Sequence, residues 1–160
     1  MDVYEEELLN FWRCLSQYQV QFILVGGFAT NFHGYTRFTS DIDIWIKDSI
    51  ENRKNLRLAY AASGNGDLKE IETIEFIAGW TTLYLQGNLE LDIMTKLVGF
   101  SQLDFDKCYE EAPIANIFDL NIKFLHINHL IEEKKKTGRT KDLLDAEELE
   151  KIRDSNQNIN

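Results

Sequence analysis

The sequence predicts an α/β (α+β) domain, and three observations predict it. Short β-rich apolar runs alternate with stretches of helical periodicity along most of the 160 residues. Two of the runs, residues 81–86 and 89–94, are joined by Gly87-Asn88, a pair suited to a two-residue hairpin turn. The last thirty residues show helical patterning broken at Thr137-Gly138. A chain of this length, 44% hydrophobic and 28% charged, is expected to form one domain with a sizeable core. The sheet is expected over about residues 20–127 and the C-terminal helices over about 128–154.

Each element has a local reason. Leu8, Phe11, Trp12, Leu15 and Tyr18 recur at helical spacing, so roughly the first eighteen residues read as an amphipathic helix. Residues 20–25 form a buried strand that enters a turn at Gly26-Gly27, a short helix is expected over 28–33, and Gly34 closes it. Residues 38–46 read as the next strand. Asp48 and Glu51 have capping-box spacing, and Leu56, Ala59 and Tyr60 give the following helix an apolar stripe that ends near Gly64. The segment 68–77 fits helix or strand. Residues 101–112 read as a helix, 121–127 as a strand, and the polar tail 155–160 as frayed.

Composition narrows the function. A net charge of −10 and a pI near 4.7 argue against broad binding to a nucleic-acid backbone, which draws on lysine and arginine. The exception is a local cluster, Lys134, Lys135, Lys136, Arg139 and Lys141. No apolar run approaches the ~18 residues of a membrane span, so no membrane association is expected. The acidic start, Met1-Asp2-Val3-Tyr4-Glu5-Glu6-Glu7, does not read as a secretory leader. Cys14 and Cys108 are far apart and in no metal-ligand spacing, which suits reduced structural thiols and a cytoplasmic location.

The chemistry lies in Gly26-Gly27, a spacer of thirteen residues, and Asp41-Ile42-Asp43-Ile44. Side chains alternate across a strand, so Asp41, Asp43 and Trp45 share one face while Ile42, Ile44 and Ile46 take the other. By the same alternation Glu90, Asp92 and Met94 oppose Leu89, Leu91 and Ile93, which makes Asp92 a third strand-borne acid. Like charges this close raise one another's pKa unless a cation offsets them. Magnesium, a hard ion that takes carboxylate oxygens, is the expected partner. Asp41, Asp43 and Asp92 are therefore the candidate catalytic residues and metal ligands, with two Mg²⁺ ions supporting an in-line displacement. The glycines lack Cβ atoms, so their amides are expected to approach a triphosphate, with the short helix behind them aimed at the anion.

These residues resemble the signature of the DNA polymerase beta-like nucleotidyltransferase superfamily: Val25-Gly26-Gly27, the spacer, Asp41-Ile42-Asp43-Ile44, and Asp92 in the place of the third acid. The spacer's His33-Gly34-Tyr35-x-Arg37-x-Thr39 wording is similar to the small bacterial branch that includes the abortive-infection-type nucleotidyltransferase toxins. Leu130-Ile131-x-x-Lys134 followed by Gly138-Arg139-x-Lys141-Asp142-x-x-Asp145 is similar to a helical segment those proteins carry after the catalytic sheet. The resemblance spans about residues 22–149. It implies a nucleotidyltransferase fold, a mixed twisted sheet flanked by helices. It also implies transfer of an NMP group from an NTP to a hydroxyl acceptor, with pyrophosphate released. Many members have Gly-Ser where this chain has Gly26-Gly27, so backbone amides, Thr39 or Ser40 would replace a serine contact to phosphate.

Other residues carry two readings. Arg37 contacts the triphosphate or pairs with a surface acid, and Lys96, just past Asp92, reaches a phosphate or stays in solvent. His33 is a hydrogen-bonded structural residue or a substrate contact, while His126 and His129 have no metal spacing. Lys134 to Lys136 suit a solvated helix end complementing its dipole, whereas Arg139 and Lys141 reach nucleotide or acceptor only on the strength of the resemblance. Trp12, Trp45 and Trp80 are expected in the core rather than as base-stacking platforms, although Trp45 shares the Asp41 face. The acidic surface favours a small-molecule or protein acceptor over a long RNA, with a tRNA end at the basic cluster as the third choice. The alternative function is a non-catalytic nucleotide- or partner-binding module of the same fold, one half of a toxin–antitoxin-like pair with a cognate protein.

Overall fold

The structure is a computed structural model that describes residues 5–158. Residues 1–4 of the expected first helix and 159–160 of the expected frayed tail lie outside the described residues. Helix α1 (Glu6–Gln17) buries Leu8, Phe11, Trp12 and Leu15, the residues whose spacing announced it. Strand β1 (Phe22–Val25) runs straight into helix α2 (Gly26–Phe32), so the two glycines form the first turn of α2 rather than a loop ahead of it. Strand β2 (Asp41–Ile46) begins three residues later than expected and is followed by α3 (Ile50–Tyr60).

The N-cap of α3 is Ser49, not Asp48. Its hydroxyl accepts the Asn52 N–H at 3.1 Å, while Asp48 pairs with Arg53. Segment 68–77 is neither a full helix nor a strand. A single 3₁₀ turn, Lys69–Glu72, is followed by irregular chain, and the carbonyls of Ile71 within the turn and Ile74 after it accept from Arg53 Nη1 at 3.1 and 2.7 Å. A side chain thus satisfies backbone groups that a helix or sheet would have paired.

Strands β3 (Thr82–Leu85) and β4 (Leu89–Met94) form the expected hairpin, closed by three residues instead of two. Leu85 pairs with Leu89, and Gly87 and Asn88 both take positive φ. After α4 (Gln102–Glu111) comes a second hairpin, β5 (Ile114–Ile117) and β6 (Leu120–Lys123), of which only β6 was anticipated. Its turn holds Phe118 at φ +52°, a position where no glycine or asparagine marks the reversal. Helices α5 (Ile127–Thr137) and α6 (Thr140–Gln157) complete the chain, with Gly138 left-handed between them. The helix therefore continues through residues 155–157, which were expected to fray.

The main sheet has the order β1-β2-β4-β3. β1 is antiparallel to β2, β2 parallel to β4, and β4 antiparallel to β3, so the sheet is mixed and flanked by helices. Ile42, Ile44, Ile46, Leu91 and Ile93 are fully buried on one face. On the other, Trp45 is sealed by Phe100 and Phe105, and its indole donates to the Thr95 carbonyl at 2.9 Å. Trp12 is also core, but Trp80 is 86% exposed, contrary to the expectation for all three tryptophans. Among the described residues no helix is long and apolar enough to cross a membrane.

Candidate active site

The register of three strands assembles the acids. Val25 stands opposite Asp43, Asp43 opposite Asp92, and Asp41 opposite Glu90. Parallel in-register pairing keeps paired side chains on one face, so β2 and β4 carry Asp41, Asp43 and Asp92 together. Immediately after Val25 the chain turns at Gly26, whose φ of +65° suits glycine. A Cβ at Gly26 would overlap Asp43 Oδ2 and lie 2.9 Å from Asp43 Cγ. At Gly27 it would lie 2.5 Å from Thr39 Oγ1 and 3.4 Å from Arg37 Nη1. The two glycines thus let backbone approach the Asp43 carboxylate on one side and the Thr39–Arg37 segment on the other.

The electrostatics follow from this crowding. Burial, then Asp41, then Asp92 push the Asp43 carboxyl up to about 7, with Lys134 pulling the other way and Glu133 adding to the rise. Asp92 also lies above the usual aspartate range, mainly through burial and with a contribution from Asp41. Its hydrogen bond from Gly79 opposes the shift. That bond, Gly79 N–H to Asp92 Oδ2, is 2.8 Å long, whereas the buried Asp92 Oδ1 has no hydrogen-bond partner among the described residues. An orphaned buried carboxylate oxygen beside two further acids is a donor set suited to a hard cation. As the side chains stand, no three acidic, histidine or cysteine groups among the described residues converge closely enough to hold a metal.

Of the other sequence candidates, Gly27, Thr39 and Arg37 come together at the start of α2. Thr39 is buried, and its hydroxyl donates to the Asp41 carbonyl at 3.2 Å. Arg37 makes a two-pronged pair with Asp145, Nε to Oδ1 at 2.9 Å and Nη2 to Oδ2 at 2.8 Å. Ser40 and Lys96 are exposed and have no hydrogen bond or ion pair to the carboxylates. His33 sets Nε2 2.7 Å from the Leu125 carbonyl and packs edge-on to Phe124, a structural placement.

Sequence reasoning missed a charged cluster that α5 and α6 bring to Asp43. Lys134 is 3% exposed, not solvated, and its ammonium donates to Asp145 at 2.8 Å with Asp142 at 3.8 Å. Arg139 pairs with Asp142 at 2.7 Å. Lys135 and Lys136, by contrast, face solvent and pair with Glu150 and Glu132. The signal was present: Asp142, Asp145 and Leu149 share one face of α6, so two acids occupy positions that helical spacing assigns to the core.

No protein-family model and no curated protein matches the chain. Solved structures do. A putative nucleotidyltransferase from Thermotoga maritima superposes with a TM-score of 0.57 at 17% identity, covering 92% of this chain and 91% of that one. The chain has the nucleotidyltransferase fold. An antigenic nucleotidyltransferase-like protein from Paracoccidioides brasiliensis matches with a TM-score of 0.53 at 17% identity, covering 91% of this chain and 72% of that one. Within the nucleotidyltransferase fold of this chain, the β2–β4 register carries the three acids on one face and the first turn of α2 carries the glycines against them.

Proposed function

We propose that this protein is a Mg²⁺-dependent nucleotidyltransferase that transfers an NMP group from an NTP to a hydroxyl acceptor. The observation that supports it most is the pairing of Asp43 with Asp92, with Asp41 on the same face and Gly26 against the Asp43 carboxylate. Asp41, Asp43 and Asp92 would hold two Mg²⁺ ions. Bound there, the metal supplies charge neutralisation for the attacking and leaving oxygens.

The chain's own residues do the rest. The amide N–H groups of Gly26 and Gly27 donate to the triphosphate without a Cβ in the way. Arg37, Thr39, Ser40 and Lys96 are the side chains proposed to position it. The acceptor oxygen attacks the α-phosphorus, the bond to the bridging oxygen breaks, and pyrophosphate leaves. Asp92 Oδ1, the buried oxygen without a hydrogen-bond partner among the described residues, either completes the reactive metal's site or takes the acceptor's proton. The acidic surface favours a small molecule or a protein side-chain hydroxyl over a tRNA end, and the cytoplasm is the proposed place of action.

A second reading has two observations in its favour. Asp92 Oδ2 is engaged by Gly79, and among the described residues no three ligating groups converge, which suits a nucleotide- or partner-binding module without turnover. Such a module would pair with a cognate protein, as in a toxin–antitoxin-like pair. One experiment separates the two. The purified protein is incubated with each labelled NTP, Mg²⁺ and a cell extract, and small molecules, proteins and RNA are then separated. Label in any fraction that disappears with Asp43→Asn supports transfer. Nucleotide binding without label in any fraction supports the module.

A further inference from the structure

We infer that Trp80 is the surface on which the nucleobase of the bound NTP stacks, an inference that rests on the nucleotidyltransferase reading above. A tryptophan 86% exposed contrasts with Trp12 and Trp45, which are 2% and 0% exposed. Leaving so large an apolar side chain in water forgoes burial energy that the other two tryptophans gain.

The backbone that carries Trp80 is fixed by hydrogen bonds within its loop. Trp80 N–H and Thr81 N–H both donate to the Ile77 carbonyl at 3.0 Å. The Thr81 hydroxyl accepts the Ile77 N–H at 3.0 Å and donates to the Glu75 carbonyl at 3.2 Å. The same loop is fastened to the acids, because Gly79 donates to Asp92 Oδ2. Trp80 is the next residue, its Cα about 3.8 Å from that of Gly79. Gly79 takes φ +76°, and a Cβ there would meet nothing within 4 Å, so the space around the turn is open.

The remaining groups proposed for the nucleotide are amides, hydroxyls and cations, which recognise phosphate and say nothing about the base. An exposed aromatic side chain, one residue along from the amide that binds the third acid, supplies what they lack. Stacking tolerates every base because each has a π face, and it grows with ring area. Purine nucleotides should therefore bind more tightly than pyrimidine ones.

The test uses intrinsic fluorescence, to which Trp12 and Trp45 also contribute, so the Trp80 signal is the part of the emission and of its quenching that is lost in Trp80→Phe. ATP, GTP, CTP, UTP and inorganic tripolyphosphate are titrated with Mg²⁺ into wild type, Trp80→Phe and Trp80→Ala, and affinity in the variants is read by calorimetry. The expected result is quenching of wild type by NTPs but not by tripolyphosphate. Trp80→Ala should lose roughly tenfold in NTP affinity, within the range base stacking supplies, and Trp80→Phe should recover most of it. Tripolyphosphate should bind all three proteins equally. NTP affinity unchanged in Trp80→Ala would overturn the inference while leaving the nucleotidyltransferase reading intact. No NTP binding by folded wild type would overturn both.

Discussion

Asp43 and Asp92 stand directly opposite each other across the parallel pairing of β2 and β4, two carboxylates at the centre of a sheet. Arg37 and Lys134 bond to Asp145 rather than to either of them. The repulsion is therefore borne by the free protein, and the fold tolerates it by keeping a proton on Asp43 up to about pH 7.

That proton makes stability depend on pH. Asp43 binds its proton more tightly folded than unfolded. Its contribution is fully present below the ordinary aspartate range and is lost as pH rises through about 7. Asp92 and Glu133, also raised mainly by burial, act in the same direction. Asp43→Asn should therefore match wild type near pH 4 and exceed it at pH 8, by about 4 kcal/mol at most. Metal-free thermal unfolding from pH 4 to 8 checks this. Parallel curves for the two proteins would show that Asp43 does not carry the strain.

Gly26→Ala should damage the site more than its size suggests. The added methyl would overlap Asp43 Oδ2, and φ +65° is strained for any residue with a Cβ. Both effects act together at the junction of β1 and α2, so a destabilisation of about 2–4 kcal/mol is expected. Urea denaturation measures it. A variant as stable as wild type would mean that the turn relaxes away from Asp43.

Asn52 fixes the other end of the β1–β2 pair. Its Oδ1 accepts the Gln21 N–H at 2.7 Å, and Nδ2 donates to the Gln21 and Lys47 carbonyls at 3.0 and 2.7 Å. At 4% exposure these groups have little recourse to water, so Asn52→Ala should cost about 2–4 kcal/mol. Because β1 carries Gly26 toward Asp43, amide exchange should quicken along residues 22–25 and 43–46. Exchange unchanged there would reduce Asn52 to a local cap.

The strands and the acids were legible because they depend on period-two patterning over short distances. Ile42, Ile44 and Ile46 alternate with Asp41, Asp43 and Trp45, and that alternation alone set the two faces. Harder to read was whatever depended on a partner distant in sequence. Arg53 fastens the segment by donating to the carbonyls of Ile71 in the 3₁₀ turn and Ile74 beyond it, and no local pattern announces it. Lys134 looked like part of a solvated basic run because its partners, Asp142 and Asp145, lie across the Gly138 turn on another helix. Residue type places Trp80 in the core, whereas it stands 86% exposed in a loop whose backbone turns back on the Ile77 carbonyl.

The Lys134–Asp145 pair gives the last prediction. Both side chains are almost fully buried, and Asp145 also takes the Arg37 fork. Burial pushes the Asp145 carboxyl up, but its bonds from Arg37 and Lys134 outweigh this and hold it below the usual aspartate range. Removing one partner leaves the other charge less compensated in a dry environment. Lys134→Met and Asp145→Asn should each lose about 3 kcal/mol. The double variant should lose less than the sum, because the second change removes a charge the first left exposed to no partner. Additive losses in a denaturation cycle would show that the pair is not coupled. Lys134→Met carries a second readout. The ammonium lowers the Asp43 pKa, so its loss should move the Asp43 titration above about 7, observable as a shift of its carboxyl carbon resonance with pH. A purely structural role for Lys134 would leave that titration in place, whereas a moved titration ties the α5–α6 charge cluster to the acids on the sheet.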